Sequence, residues 1–310
     1  MHQKKSYKTF QDFLSVYFKK KVQKISINAG FTCPNRDGTY GFGGCTYCNN
    51  QTFNPSYCET NKSVTTQIEE GIGFFARKYP EMDYLAYFQA YTNTYGSIGH
   101  LINLYNEALE VKGVKGLVIG TRPDCMSDEL LDYFEDLSKK TFVLIEYGLE
   151  TTLNSTLDFI NRGHNFECSA DAIIRTSERG IPVGAHFILG LPGEKNDDIL
   201  NHTVKINQLP LNTIKLHQLQ IIKGTRLADQ VAKDKDLINW YSAEEYADLV
   251  VQFLERLRPD IAVERFVSQS PPELLIAPDW GLKNYEFTHL VEKIIKKNDT
   301  FQGKLYSGLS

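Results

Sequence analysis

From about residue 80 onward, short apolar or β-branched runs alternate with longer segments whose apolar residues recur at helical spacing. The runs at 84–91, 116–120, 142–148, 183–189 and 215–222 read as strands covered on both faces. Helices are expected near 64–79, 98–112, 167–179, 196–208 and 284–297. Ser127 is placed to cap a further helix that carries Leu130, Leu131, Phe134 and Leu137 on one face. Ser242 and Glu245 have capping-box spacing ahead of Tyr246, Leu249, Val250, Phe253 and Leu257, and Pro259 stops that helix. A repeated unit of strand, crossover helix and strand implies a parallel sheet with right-handed connections. Such a sheet either stays open and doubly wound or curls into a full or partial α/β barrel, and periodicity does not separate the two. No G-x-G-x-x-G follows a strand and no Walker-type loop is present, so the commonest nucleotide fingerprints lend the open sheet no support. From about residue 261 the alternation stops, and Ser270, Pro271, Pro272 and Pro278 mark turns. The expected organisation is a basic N-terminal segment (1–24), an α/β core (25–230) and a helical C-terminal extension (231–310) packed on that core.

With 310 residues, 42% hydrophobic and 23% charged, the chain has the composition of an ordinary globular protein, which excludes intrinsic disorder, collagen and small disulfide scaffolds. No run of ~18 uncharged apolar residues occurs, and the Lys-rich start has no apolar signal core. A cytoplasmic protein without a membrane partner is therefore expected. In a reducing compartment, grouped cysteines are more often metal ligands or catalysts than disulfides. Of the six, Cys33, Cys45 and Cys48 fall within sixteen residues, whereas Cys58, Cys125 and Cys168 are scattered.

The three grouped cysteines have the spacing C-x11-C-x2-C. Gly38, Gly41, Gly43 and Gly44 make the longer spacer flexible enough to return a third sulfur to one ion or cluster. A structural zinc site would need a fourth ligand, for which Cys58 is available. A [4Fe-4S] cluster on three cysteines instead keeps one iron open. The glycine-rich spacer and the lack of a second C-x2-C favour the open cluster. Cys58, Cys125 and Cys168 read as small buried side chains, with Cys125 the best candidate for a reactive thiol.

Charge is unevenly distributed. Residues 1–24 carry seven lysines, at positions 4, 5, 8, 19, 20, 21 and 24, against Asp12 alone, which leaves −10 on the rest of a chain whose net charge is −4. Such a segment can hold a polyanion through phosphate contacts or can form a solvated basic face.

The three-cysteine pattern with Tyr47 just before its last member resembles the radical S-adenosylmethionine (SAM) superfamily. The wording from Asn28 to Gly38, with Gly44 to Cys48, is similar to the YhcC/YtqA family. The gap between the first two cysteines is longer than the superfamily usually has, but it matches this family and the elongator catalytic subunit. Further phrases extend the resemblance over roughly residues 25–230. Thr92, Asn93 and Thr94 stand where the superfamily receives the methionine amino group. The stretches 120–124 and 222–226 resemble segments of the elongator subunit. The strand 146–150 is similar to its Glu-x-Gly-x-Gln strand, with Glu150 in place of Gln. The loop 161–164 is similar to one whose arginine, here Arg162, pairs with the SAM carboxylate. The stretch 186–194 resembles the strand end that supports the adenosine, where Glu150 and His186 would bond the ribose and Gly190 would expose backbone to adenine.

The resemblance implies a partial (β/α)6 TIM-like barrel with its chemistry at the C-terminal strand ends. It also implies a [4Fe-4S] cluster that reductively cleaves SAM to a hydrogen-abstracting 5'-deoxyadenosyl radical, and an electron donor such as flavodoxin or ferredoxin. Together with the lysines it suggests a tRNA substrate at the C5 side chain of the wobble uridine and an RNA-facing N-terminal edge, with the barrel mouth sealed by the N-terminal segment, the C-terminal extension or both. Tyr91, Tyr95 and Tyr147 lie where an extruded base could stack. Two other classes stay open: a radical enzyme acting on a small molecule such as a tetrapyrrole or amino-acid derivative, and a non-catalytic, metal-stapled RNA-binding module.

Overall fold

The computed structural model describes residues 6–49, 52, 55–76 and 81–308. Lys4, Lys5 and the end of the expected 64–79 helix lie outside the described residues. In chain order the elements are α1 (Phe10–Leu14), β1 (Val22–Ile27), α2 (Val64–Ala76), β2 (Asp83–Phe88), α3 (Ile98–Glu110), β3 (Val114–Thr121) and α4 (Asp128–Ser138). They continue with β4 (Phe142–Glu150), α5 (Asn154–Phe159), α6 (Phe166–Glu178), β5 (Val183–Leu189), α7 (Asn196–Gln208) and β6 (Thr213–Gln218). The remainder are β7 (Ile221–Ile222), α8 (Arg226–Lys233), α9 (Ala243–Arg256), β8 (Ala262–Arg265), β9 (Leu275–Ala277) and α10 (Asn284–Lys297).

Seven strands form one parallel sheet in the order β1-β2-β3-β4-β5-β6-β8. The sheet curls into a half-barrel, and side-chain contacts across its concave face show the curvature. Lys24 on β1 lies 2.6 Å from Glu264 on β8, its opposite edge, and Lys215 on β6 donates to the Tyr87 hydroxyl on β2 at 2.9 Å. Six strands make the expected barrel units. The seventh, β8, comes from the region read as a helical extension, where two of four residues are apolar and no alternation announces a strand. Strand β1 likewise straddles residue 24, because Val22–Ile27 mixes polar and apolar residues.

Alternation along each strand separates two cores. Tyr84, Ala86, Phe88, Leu117, Ile119, Val143, Ile145, Tyr147, Val183, Ala185, Phe187, Ile214 and Leu216 face outward onto the helices. Leu85, Tyr87, Val118, Leu144 and Ala262 face inward, where Phe13 and Leu14 of α1 pack on them. Burying each of the Val, Leu, Ile and Phe side chains among them is worth ~1.5–3 kcal/mol. The helix caps follow the sequence: Ser127 accepts from the Leu130 amide, and Ser242 and Glu245 form a reciprocal box.

The placement of α1 corrects one expectation. Its partners include Val22 and Phe142, the first residues of β1 and β4, so the N-terminal segment closes the N-terminal end of the strands. The parallel sheet places Lys19 and Lys20, just ahead of β1, at that same end, opposite the barrel mouth. Lys24 is not a surface charge at all, since its ammonium sits inside the barrel against Glu146 and Glu264. An amphipathic segment with Phe10, Phe13 and Leu14 has more to gain from plugging the apolar strand ends than from solvent. Among the described residues, no helix is long and apolar enough to cross a membrane.

Candidate active site

The C-terminal ends of the strands open into a cavity of about 960 Å³ when the space at its open mouth is included. Cys33, Cys45 and Cys48 all line it. The loop that carries them is held by its own backbone: the Arg36 amide donates to Cys33 O, the Tyr40 amide to Pro34 O and the Gly44 amide to Asn35 O. It is tied to the loop after α5 by Asn161, which donates to Gly44 O at 2.8 Å, and by Asn35, which donates to Asn161 O at 2.5 Å. Arg226 also donates to Gly44 O. Three non-glycine residues hold a left-handed backbone on the strand-end loops around this cavity: Tyr91 (φ 61°), Glu150 (φ 66°) and Asn161 (φ 55°). Strain of that kind concentrates at functional sites.

Arg162 stands between the sulfurs and β4. Its Nη1 lies 3.6 Å from Cys45 Sγ, its Nη2 donates to Gly148 O at 2.7 Å, and Glu150 Oε1 lies 3.6 Å away. Gly148 is what allows this approach, because a Cβ there would fall 2.5 Å from Arg162 Nη2 and 2.6 Å from Glu150 Oε1. Arg162 Nε is buried and has no hydrogen-bond partner among the described residues, and the same holds for Arg122 Nη1. Arg122 forms a two-point pair with Asp124 at 2.9 and 2.7 Å. Burial pushes the Cys48 thiol up to about 12, with a further push from Cys45. Burial also raises Glu150, with Arg162 opposing it. No three His, Cys, Asp or Glu side chains among the described residues are gathered closely enough for a single metal ion. Cys58, which the zinc reading needs, donates to Ser26 O at 3.0 Å and does not line the cavity.

Below the cysteines lies a layer of charge. Glu146 accepts from Lys24 and Lys215 at 2.6 Å each, and its Oε2 is 3.0 Å from His186 Nε2. Glu264 is 3.2 Å from Lys215 as well as 2.6 Å from Lys24. Burial disfavours the Glu146 carboxylate, yet Lys215 and Lys24 hold it well below the usual range. Burial, reinforced by Lys215, pushes His186 down to about 4. His217 and Arg265 complete the floor.

Similarity to known proteins shows the family of the chain. The radical SAM superfamily profile matches residues 29–204, and the radical SAM C-terminal domain profile matches residues 211–297. The chain belongs to the radical SAM superfamily. Bacillus subtilis YtqA is 33% identical over 98% of this chain and 94% of its own length. The tRNA uridine(34) acetyltransferase of Methanocaldococcus jannaschii is 24% identical over 62% of this chain and 35% of its own length. Among solved structures, Methanocaldococcus infernus Elp3 lacking its N-terminus superposes with a TM-score of 0.66 at 16% identity, covering 91% of this chain and 64% of that longer one. The chain is therefore an enzyme of a superfamily that uses a [4Fe-4S] cluster and SAM. That membership sets aside the non-catalytic RNA-binding module.

Within this radical SAM fold the residues singled out from sequence divide into two sets. Cys33, Cys45, Tyr47, Cys48, Tyr91, Thr92, Glu150, Arg162 and His186 line the one cavity. Asn93 is buried and donates to Gly120 O, and Thr94 Oγ1 is engaged by Thr121 and Cys125 O, so neither lines it. Gly190 borders a separate small pocket with Tyr241 and Trp280. Cys125 points toward Asp124, 3.9 Å from its carboxylate, and burial pushes its thiol up to about 12, the reverse of an activated thiolate. Tyr147 is on the outer face with its hydroxyl on Thr176, and the exposed Tyr95 hydroxyl meets Thr39, so neither forms a stacking platform at the cavity. The sequence reading overlooked Arg36, Gln89, Glu146, His217 and Arg265, all of which line the cavity. The signal for some of them was present: charged or imidazole side chains at alternate positions of an otherwise apolar strand, as at Glu146 and at Lys215 and His217.

Proposed function

We propose that Cys33, Cys45 and Cys48 hold the [4Fe-4S] cluster and that Tyr47, Thr92, Glu150 and Arg162 hold SAM beside it. The observation that carries this reading is the convergence of three thiols on one cavity with an arginine 3.6 Å from one sulfur that keeps a buried nitrogen unpartnered among the described residues. The residues fit the groups: thiolates suit iron, and a guanidinium fork suits a carboxylate. Bound there, cluster and SAM supply reductive cleavage of the sulfonium to a hydrogen-abstracting radical. The protein's own contribution is orientation and exclusion of water. Arg162 is locked by Gly148 O and Glu150, so little freedom is lost when a carboxylate binds. The charged layer and α1 close the lower end.

The substrate we propose is tRNA, at the C5 side chain of its wobble uridine. This rests on likeness to a tRNA uridine(34) acetyltransferase, and on the rim of the cavity, where the guanidinium of Arg36 lies 5.6 Å from the ring of exposed Tyr91. An exposed aromatic beside a cation is what an extruded base stacks on. Anaerobically reconstituted protein should contain about four irons, as the cluster formula requires, and release 5'-deoxyadenosine with dithionite, and Cys45→Ala should abolish both. Zinc without turnover would overturn the cofactor assignment. Mass spectrometry of tRNA nucleosides from wild-type and deletion cells should show one altered wobble uridine, and an unchanged profile would overturn the RNA assignment.

A further inference from the structure

The cavity floor carries one more charge than it balances. Lys24 and Lys215 are matched by Glu146 and Glu264 through four contacts of 2.6–3.2 Å. Arg265 is the fifth charged group of this layer and has no carboxylate partner among the described residues. Its Nη2 lies 3.1 and 3.3 Å from the two ring nitrogens of His217, and its Nε is buried without a partner. A ring nitrogen accepts from a guanidinium only when the imidazole is neutral. His217 is held well below its ordinary range by burial and then by Arg265, and an imidazole, neutral or protonated, carries no negative charge to balance the guanidinium. His186, 5.5 Å away between ring centroids, is also pushed down to about 4.

Among the described residues the hydrogen-bond contacts of the Arg265 guanidinium are with His217. Arg265 belongs to the last strand of the sheet, opposite Lys215 across a register shift, and it faces the cavity rather than solvent or the helices. An arginine stays charged at every accessible pH, and a charge taken out of water without a counter-ion is costly. A half-buried guanidinium whose Nε is buried without a partner among the described residues, and whose charge is unmatched there, is an incomplete anion site on the wall of a cavity. Its planar fork suits the paired oxygens of a carboxylate or phosphate.

We propose that Arg265, with His217 beside it, forms an oxyanion-binding subsite on the cavity floor, and that the substrate carries an anionic oxygen group that docks there. The subsite would orient one end of the substrate below the cofactor and would reject neutral analogues, which leave the guanidinium unmatched. It is separate from the carboxylate site at Arg162, which lies against the cysteine loop. The proposal does not depend on the substrate being RNA.

The test uses SAM-saturated, reconstituted holoenzyme, so that the cofactor carboxylate already occupies its own place, with sodium acetate and inorganic phosphate as probes. The ring nitrogen resonances of His217, assigned with a His217→Gln variant, should move saturably with one or both anions. Dissociation constants on the order of millimolar are expected for so small a ligand. Arg265→Gln should weaken that binding by at least about tenfold, the loss of a charge-assisted pair. Should Arg265→Gln fail to fold, Arg265→Lys keeps the charge without the fork and should weaken binding severalfold. A response to acetate alone identifies a carboxylate, and one to phosphate alone a phosphoryl group. No saturable response to either anion, or an undiminished response in the Arg265 variant, overturns the subsite. Neither result bears on the tRNA assignment, because no RNA is present.

Discussion

At the lower end of the barrel interior, Lys24 and Lys215 meet Glu146 and Glu264 at 2.6–3.2 Å, and α1 closes the strand ends beneath them. Arg265 on the cavity floor above them, and Arg122 and Arg162 nearer the mouth, each keep a buried nitrogen with no partner among the described residues. The same strands build both ends, so the difference lies in side chains rather than architecture. Charges that satisfy one another are part of the scaffold. Buried polar groups left unsatisfied are poised for something the chain does not itself contain. The contrast also explains two glycines. Gly184, deep in the barrel, leaves room for Glu146 and Thr213, whereas Gly148, near the mouth, leaves room for Arg162.

The contrast predicts where substitutions act. Glu146→Ala should have the largest effect on stability, because it leaves Glu264 as the one carboxylate facing both Lys24 and Lys215 in this layer. A loss of about 3–5 kcal/mol is expected from urea unfolding of the cluster-free protein, as for a broken buried pair. If Glu146→Ala unfolds like wild type, the lower end is not scaffold. Arg162→Ala should behave differently. It should weaken SAM binding by about ten- to a hundredfold, the cost of charged hydrogen bonds, as read by equilibrium dialysis on reconstituted protein. A SAM affinity equal to that of wild type would remove Arg162 from the cofactor site.

Acid supplies a third probe. His186 is neutral in the fold, held down to about 4, and ordinarily titrates near 6.5. Between those values the unfolded chain binds the extra proton, so the neutral form's contribution is complete above about pH 6.5 and is lost as pH falls toward 4. His186 should contribute ~1 kcal/mol per pH unit to this loss in the cluster-free protein, beside a contribution of the same sign from His217, and His186→Gln should reduce the slope by its own share. Glu146 adds to the loss only at lower pH, because its carboxylate is held below the usual range. An equal slope in wild type and His186→Gln would show that the imidazole is not held neutral. The smallest effect is expected from the pair Lys19→Ala and Lys20→Ala. They sit at the closed end, and tRNA affinity measured by filter binding at fixed salt should fall less than about twofold. A large fall would move the RNA surface to the wrong end of the barrel.

Much of this was legible from residue order. The strand over 183–189 and the helices over 196–208 and 284–297 emerged with the bounds expected, because apolar periodicity and capping residues are local properties. Cys33, Cys45 and Cys48 were legible because spacing and glycine content are visible in one loop. Strand β8 was not, since Ala262–Arg265 is short and half polar and owes its conformation to pairing with β6. The N-terminal lysines read as one basic patch, yet Lys24 lies inside the barrel while Lys8 reaches the Asp260 carbonyl outside it. Charge counts do not say which face of a strand a lysine occupies.

The sequence by itself determined the parallel α/β class and the superfamily, through periodicities and short phrases that are each local in the chain. Only the tertiary structure decided that Lys24, Glu146, Lys215 and Glu264 neutralise one another and that Arg265 does not share in that balance. Those residues are up to 240 positions apart, as for Lys24 and Glu264, and meet only because the sheet curls. Whether a buried charge is matched or left open depends on distances across the barrel, and no local pattern encodes them.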